Sequence, residues 1–169
     1  MSGDLRQITK LVHPFPDRVI HKNPSGGGTY VKHSTVQQRI MDVLGLVDIE
    51  LVQVTRGAVE AKPPNPNGKS ARAKAGSPAL EDAVVGVVLR LTATVDGQRV
   101  MVEEAGDCEE PHNWPHDGAR MKDAFSDAYK RCAMRLGVGL HLWSQDDFYI
   151  AKKLMDQDQA PAAPEGDAK

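Results

Sequence analysis

Residues 84–104 read VVGVVLRLTATVDGQRVMVEE. Val85, Val87, Leu89, Leu91, Ala93 and Val95 alternate with other side chains, the period-two pattern of a strand that buries one face. Asp96-Gly97 follows, and this dipeptide suits a two-residue hairpin turn because both central residues of a type I′ turn need positive φ. Such a turn dictates the register, with 95 opposite 98, 93 opposite 100 and 91 opposite 102. Val100 and Val102 then join the apolar face, while Arg90 meets Glu103 and Thr92 meets Met101 on the other. The stretch therefore predicts an antiparallel hairpin, the nucleus of an α+β fold.

Downstream, acid accumulates at Glu103, Glu104, Asp107, Glu109 and Glu110. After the Pro111–Pro115 loop the spacing predicts a helix from about Asp117 to Leu136, with Met121, Ala124, Phe125, Ala128, Cys132 and Leu136 on one stripe. At about 100° per residue, Arg131 and Arg135 border that stripe one turn apart, directed toward a groove, while Lys130 projects the other way. Gly137-Val138-Gly139 ends the helix, Leu140, Leu142 and Trp143 follow, and a last short helix is expected near Asp146–Leu154. Residues 156–169 are poor in apolar side chains and net negative, which predicts a disordered acidic tail.

Upstream, Leu5, Ile8, Leu11 and Val12 have helical spacing until Pro14 and Pro16 interrupt it. A glycine-rich loop at 23–28 and Tyr30-Val31 lead into a second helix, capped by Ser34 or Thr35, with Val36, Ile40, Val43 and Leu44 on one face and Gly45 at its end. Val47, Ile49 and Leu51 alternate before the phase shifts to Val52 and Val54, the mark of a bulged strand. Residues 57–80 predict a long, mobile, basic loop carrying Lys62, Lys69, Arg72 and Lys74 against Glu60.

At 169 residues the chain suits one domain, 1–155, followed by the tail. Its net charge of -2 argues against a uniformly basic coat for nucleic acid. The charge is unevenly spread, however: residues 1–80 hold 11 basic and 6 acidic side chains, and residues 81–169 hold 10 and 17. The helix predicted over 118–137 itself sets five basic residues against Asp123 and Asp127. Two cysteines, Cys108 and Cys132, make no disulfide framework, and no stretch resembles a signal peptide, so a reducing cytoplasm is expected. No apolar run approaches the roughly 18 residues of a membrane span. Aromatic side chains are only 5% of the total, so stacking on bases would have to use Tyr30, Trp114, Trp143 and a few others.

Three patterns invite a chemical reading, and each has a plainer one. Gly68-Lys69-Ser70 imitates the end of a phosphate-binding loop, but Pro63 stands where the first glycine belongs. Asp48, Glu60 and Lys62 have the residue types of a metal-dependent nuclease, yet the second half falls in the predicted loop. Cys108, His112 and His116 offer zinc ligands four residues apart, on a segment that Pro111 and Pro115 make a loop rather than a helix. No catalytic or metal-ligating residue is assigned from these patterns.

The order of elements resembles the Rad-fifty-two superfamily of single-strand annealing proteins, and especially its phage members. The resemblance is carried by HPFPDRVIHKNPSGGGTYVKHSTVQQRIMDVLG (13–45), by the hairpin VVGVVLRLTATVDGQRVMVEEAG (84–106), and by DAFSDAYKRCAMRLGVGLHLW (123–143) with the following SQDDFYIAKKL. It implies a hairpin and sheet wrapped around a long central helix, assembled into rings or helical arcs with single-stranded DNA along a positive groove. Lys130 and Arg131 match the family's backbone-contacting Lys-Arg pair, Lys22 falls close to a basic residue before the glycine-rich loop, and Tyr30 matches the aromatic after it. Lys32 and Arg135 extend the set, although Met134 stands where a third basic residue is usual. The resemblance implies annealing of complementary strands without ATP or any cofactor, with a phage exonuclease or host single-strand binding protein as partner. Strand protection without annealing is the alternative.

Overall fold

The structure, a computed structural model, describes residues 6–23 and 28–143. In chain order it comprises α1 (Gln7–Val12), a 3-10 turn (Asp17–Val19), β1 (His21–Lys22), β2 (Thr29–Tyr30), α2 (His33–Leu44), β3 (Asp48–Val59), α3 (Ala71–Ala75), β4 (Leu80–Val95), β5 (Gln98–Asp107), a second 3-10 turn (Pro111–Asn113), α4 (Asp117–Arg135) and α5 (Leu140–Trp143). The fold is mixed α+β. β3-β4-β5 form an antiparallel sheet, and β1 and β2 a separate antiparallel pair. The helix expected near 146–154 and the acidic tail lie outside the described residues. No helix among the described residues is long and apolar enough to cross a membrane.

The hairpin register is the one that the turn dictates. Val95 pairs with Gln98, Ala93 with Val100, Leu91 with Val102, and Arg90 with Glu103. Asp96 and Gly97 have φ of 49° and 80°, as a type I′ turn requires. Val87, Leu89, Leu91, Ala93 and Val95 are buried, but Val85 is only half-buried and Val84 is fully buried instead. The cause is a bulge: Thr55 pairs with Gly86 and the next residue, Arg56, with Val84, so Val85 is skipped and the alternation reverses. A second register shift, between Leu51 and Gln53, falls at the predicted phase change in β3.

β3 runs further than expected, to Val59, and the segment 57–80 is correspondingly less of a loop. Ala71–Ala75 form α3, capped by Ser70, whose Oγ accepts from the Ala73 N–H at 3.0 Å. Lys62 and Ser77 exchange backbone hydrogen bonds of 2.9 Å across the segment's base. Two of its cations have partners elsewhere: Lys62 pairs with Glu110, and Arg72 donates to the His112 carbonyl.

α2 begins at His33, too early for Ser34 or Thr35 to cap it, with Lys32 at its N-cap and no capping side-chain bond. Val31 and Val36 occupy the two positions of a hydrophobic staple and both are buried, which fixes where the chain enters the helix. Gly45 closes it, its N–H donating to the Met41 carbonyl at 3.0 Å.

α4, about 28 Å long at about 1.5 Å per residue, packs on β4 and β5. The face it turns to the sheet is narrower than the predicted stripe. Ala124, Ala128, Cys132 and Ala133 are fully buried, and small side chains here let helix and sheet backbones come together. Met121 and Phe125, expected in the core, are only half-buried, whereas Tyr129 and Arg120 are buried. Arg120 is tolerated inside because its guanidinium is satisfied by Asp117 at 2.9 Å and by the Pro111 and Trp114 carbonyls at 3.0 and 3.1 Å.

Candidate nucleic-acid interface

Tyr30, Lys130, Arg131 and Trp143 line one groove. Short-range chemistry positions each of them. The β1–β2 pairing sets Tyr30 opposite His21, with ring centroids 5.4 Å apart, and the neighbouring Val31 is anchored in the core. Lys130 and Arg131 sit in the C-terminal half of α4, flanking the buried Tyr129–Cys132 face. The bend at Gly137–Gly139 turns the chain back so that α5 carries Trp143 toward Tyr30. Beside the groove lies a more enclosed pocket, mostly apolar, lined by Tyr30, Val31, Val36, Lys130, Val138 and Trp143.

The groove is electrically mixed. Asp107, Glu109, Asp123 and Asp127 line it together with Lys130 and Arg131. Arg131 donates through Nε to Asp127 Oδ2 at 2.8 Å, and this bond raises the arginine's pKa still further. The same Asp127 oxygen accepts from the Asp107 N–H at 3.3 Å, and Asp123 accepts from Trp114 Nε1 at 3.3 Å. Lys130 enters no ion pair among the described residues.

Of the six residues singled out from sequence, Tyr30, Lys130 and Arg131 are brought together. Lys22 is exposed on β1 opposite Thr29, which lines the groove, and Lys32 is exposed at the start of α2; neither lines the groove itself. Arg135 is not brought to this groove. It pairs with Glu104 of β5 and is absent from the groove lining, while Lys130, expected to project away, lines the groove. A helical wheel gives each residue's angle about the axis but not which neighbouring strand supplies a carboxylate. The sequence names Trp143 among the few rings able to stack on bases but does not place it in the site, since nothing in Leu140-His141-Leu142-Trp143 marks its ring as exposed.

The other patterns are not assembled as sites. Asp48 opens β3 and Glu60 follows its last residue, which at about 3.3 Å per residue puts them roughly 35–40 Å apart, too far to share a metal. Lys62 is taken by Glu110. Cys108 is buried and its thiol pushed up to about 11, chiefly by burial. His112 Nε2 lies 2.8 Å from the Glu60 carbonyl, and His116 Nδ1 accepts from the Ala119 N–H at 3.2 Å, capping α4. Among the described residues no cluster of three or more His, Cys, Asp or Glu side chains could hold a metal.

Comparison with protein-family models finds no match to the chain, and neither does comparison with curated proteins.

Proposed function

We propose that this chain binds single-stranded DNA and anneals complementary strands without ATP, as a ring or helical arc of identical subunits around whose long helix each hairpin and sheet is wrapped. The observation that carries the reading is the convergence of Tyr30, Lys130 and Arg131, from distant parts of the sequence, on one groove. These are the positions that match the family's backbone-binding pair and its aromatic. Lys22 and Lys32, exposed on the elements that flank Tyr30, add cations beside it.

Among the described residues the groove has only Lys130 and Arg131 as cations, so affinity must come from repetition along an assembly. Support for assembly comes from the sheet. Among the described residues β3 and β5 each pair with one neighbour only, and Ile49 and Leu51 are paired with the buried Leu91 and Leu89 yet remain 41% and 43% exposed. An apolar sheet face that runs past its helical cover suits head-to-tail contact with the next subunit. The bacterial cytoplasm is the proposed setting, with a phage exonuclease or host single-strand binding protein as partner.

The test is annealing of complementary labelled oligonucleotides in the absence of nucleotide. Acceleration by the wild type, lost in Lys130→Ala/Arg131→Ala together with DNA binding while the assembly persists, is the expected result. Unchanged affinity of that double variant at low salt removes the site, and protection of the strand without acceleration favours the alternative function.

A further inference from the structure

Phe15 stands between Pro14 and Pro16, so of these three residues it alone has a backbone N–H to donate. Its ring is buried beneath the Arg39 guanidinium, which lies 4.6 Å from the ring centre and donates to the Lys10 and His13 carbonyls at 3.1 and 2.6 Å. The Phe15 N–H goes to His141 Nε2 of α5 at 3.2 Å, a bond between residues 126 positions apart. An Nε2 that accepts carries no proton, so the neutral ring has its proton on Nδ1, which is buried and without a partner among the described residues.

A second proton on His141 must go to Nε2. It turns the acceptor into a donor facing the Phe15 N–H, and it sets a positive charge beside Arg39 of α2 and His13 of the segment after α1. Burial, Arg39 and His13, in that order, lower the pKa of His141 from its ordinary 6.5. Among the described residues no carboxylate offsets them at the ring: Asp42 acts on Arg39, and the Lys130 ammonium of α4 faces α5 at Leu142 and Trp143. α5 is a single turn, too short to hold itself, so its position depends on the Phe15 bond and on Leu142, packed against the core. Its last residue, Trp143, lines the candidate groove.

We propose that His141 is a positioning residue and a proton switch: uncharged, it clasps α5 to Phe15 and keeps Trp143 in the groove wall; charged, it releases both. A released ring takes up its proton near pH 6.5 and the clasped ring lower, so the clasp is at full strength above about pH 6.5 and weakens as pH falls below it. The consequence for the groove rests on the proposed single-strand binding: affinity falls between about pH 7.5 and about pH 5.5. Simple charge gives the opposite sign, since histidines become cationic over that interval while ordinary carboxylates stay ionised.

Hydrogen exchange read by mass spectrometry on the full chain, corrected for the intrinsic pH dependence of exchange, follows the clasp without DNA. Protection of peptides spanning 12–16 and 137–143 should fall roughly 3- to 10-fold between about pH 7.5 and about pH 5.5, the range for loss of one hydrogen bond. His141→Gln, whose amide oxygen can accept from Phe15 but does not titrate, should stay protected at both pH values, and His141→Ala should lack protection at both. In fluorescence anisotropy with an oligothymidylate, wild-type affinity should weaken by a similar factor over the same interval, and that of the glutamine variant should not. Wild-type protection that is constant with pH overturns the switch without recourse to any variant, and so does an equal loss in wild type and His141→Gln. Lost protection without weaker binding overturns the link to the groove. Failure of the wild type to bind the strand at about pH 7.5 overturns single-strand binding and the groove's pH dependence with it, and leaves the clasp to be judged by exchange alone.

Discussion

Gly106 of β5 lies directly against Ala128 of α4. A Cβ at Gly106 would fall 2.7 Å from the Ala128 Cα and nearer still to the Ala128 nitrogen and the Ala124 carbonyl. Helix and strand backbones thus touch, and nothing flexible separates them. Gly106→Ala should force α4 off the sheet and cost about 3 kcal/mol or more, at the upper end for overpacking because backbone rather than side chain must yield. Urea unfolding of the variant checks this, and a stability within about 0.5 kcal/mol of the wild type would contradict the packing.

Asp127 bonds Arg131 at 2.8 Å, so it competes for the guanidinium with a bound phosphate, and it adds a negative charge to the groove. Asp127→Asn should therefore tighten single-strand binding, by roughly 3- to 10-fold at low salt, and steepen the dependence of log affinity on log salt by about 0.7, as one further phosphate contact would. Arg135→Ala removes a cation already committed to Glu104 outside the groove, so it should change affinity less than about twofold. Anisotropy titrations over a salt series measure both, and weaker binding by the asparagine variant would count against the site.

Leu51 pairs with the buried Leu89 across the β3–β4 ladder, yet stays 43% exposed. If the proposed assembly forms through this face, Leu51→Glu should lower its mass in sedimentation while shifting the folding free energy by less than about 0.5 kcal/mol, as at an exposed position. An unchanged mass would move the subunit contact elsewhere.

Asp117 gathers Arg56 at 2.7 Å, Arg120 at 2.9 Å and the Val84 N–H at 3.2 Å, and its carboxyl is lowered from 3.8 to about 2, with the Arg56 hydrogen bond as the largest cause. A group whose pKa is depressed on folding adds stability above its unfolded value, and the contribution is lost as pH falls through the folded value. Thermal midpoints should accordingly drop between about pH 4 and pH 2. Asp117→Asn should melt lower at neutral pH and show a shallower decline over that window; parallel curves for the two proteins would assign the acid sensitivity to other carboxylates.

The pairing of β4 with β5 around Asp96-Gly97 is written residue by residue in the sequence. Turn chemistry and period-two alternation are local properties, and a two-residue turn leaves one register that puts every apolar side chain on the same face. The bulge at Leu51–Gln53 is legible for the same reason, because a phase change in alternation has no other cheap explanation. The limits of α4 follow from its flanking prolines and glycines, to within a residue of the observed Asp117–Arg135.

Which side chains form a site depends on contacts between segments remote in sequence. Tyr30, Lys130 and Trp143 meet because β2, α4 and α5 pack around one core, not because of any spacing among them. Arg131 and Arg135 look alike on a helical wheel, yet one lines the groove bonded to Asp127 and the other turns to Glu104, since β5 places its acids at fixed points along α4. Met121 and Phe125 read as core by hydrophobicity and emerge half-buried, because Ala124, Ala128 and Gly106 bring the backbones so close that only small side chains fit between them. Periodicity and turn residues act over a few residues and are written along the chain, whereas burial and ion pairing are settled by which surfaces the packed elements present to one another.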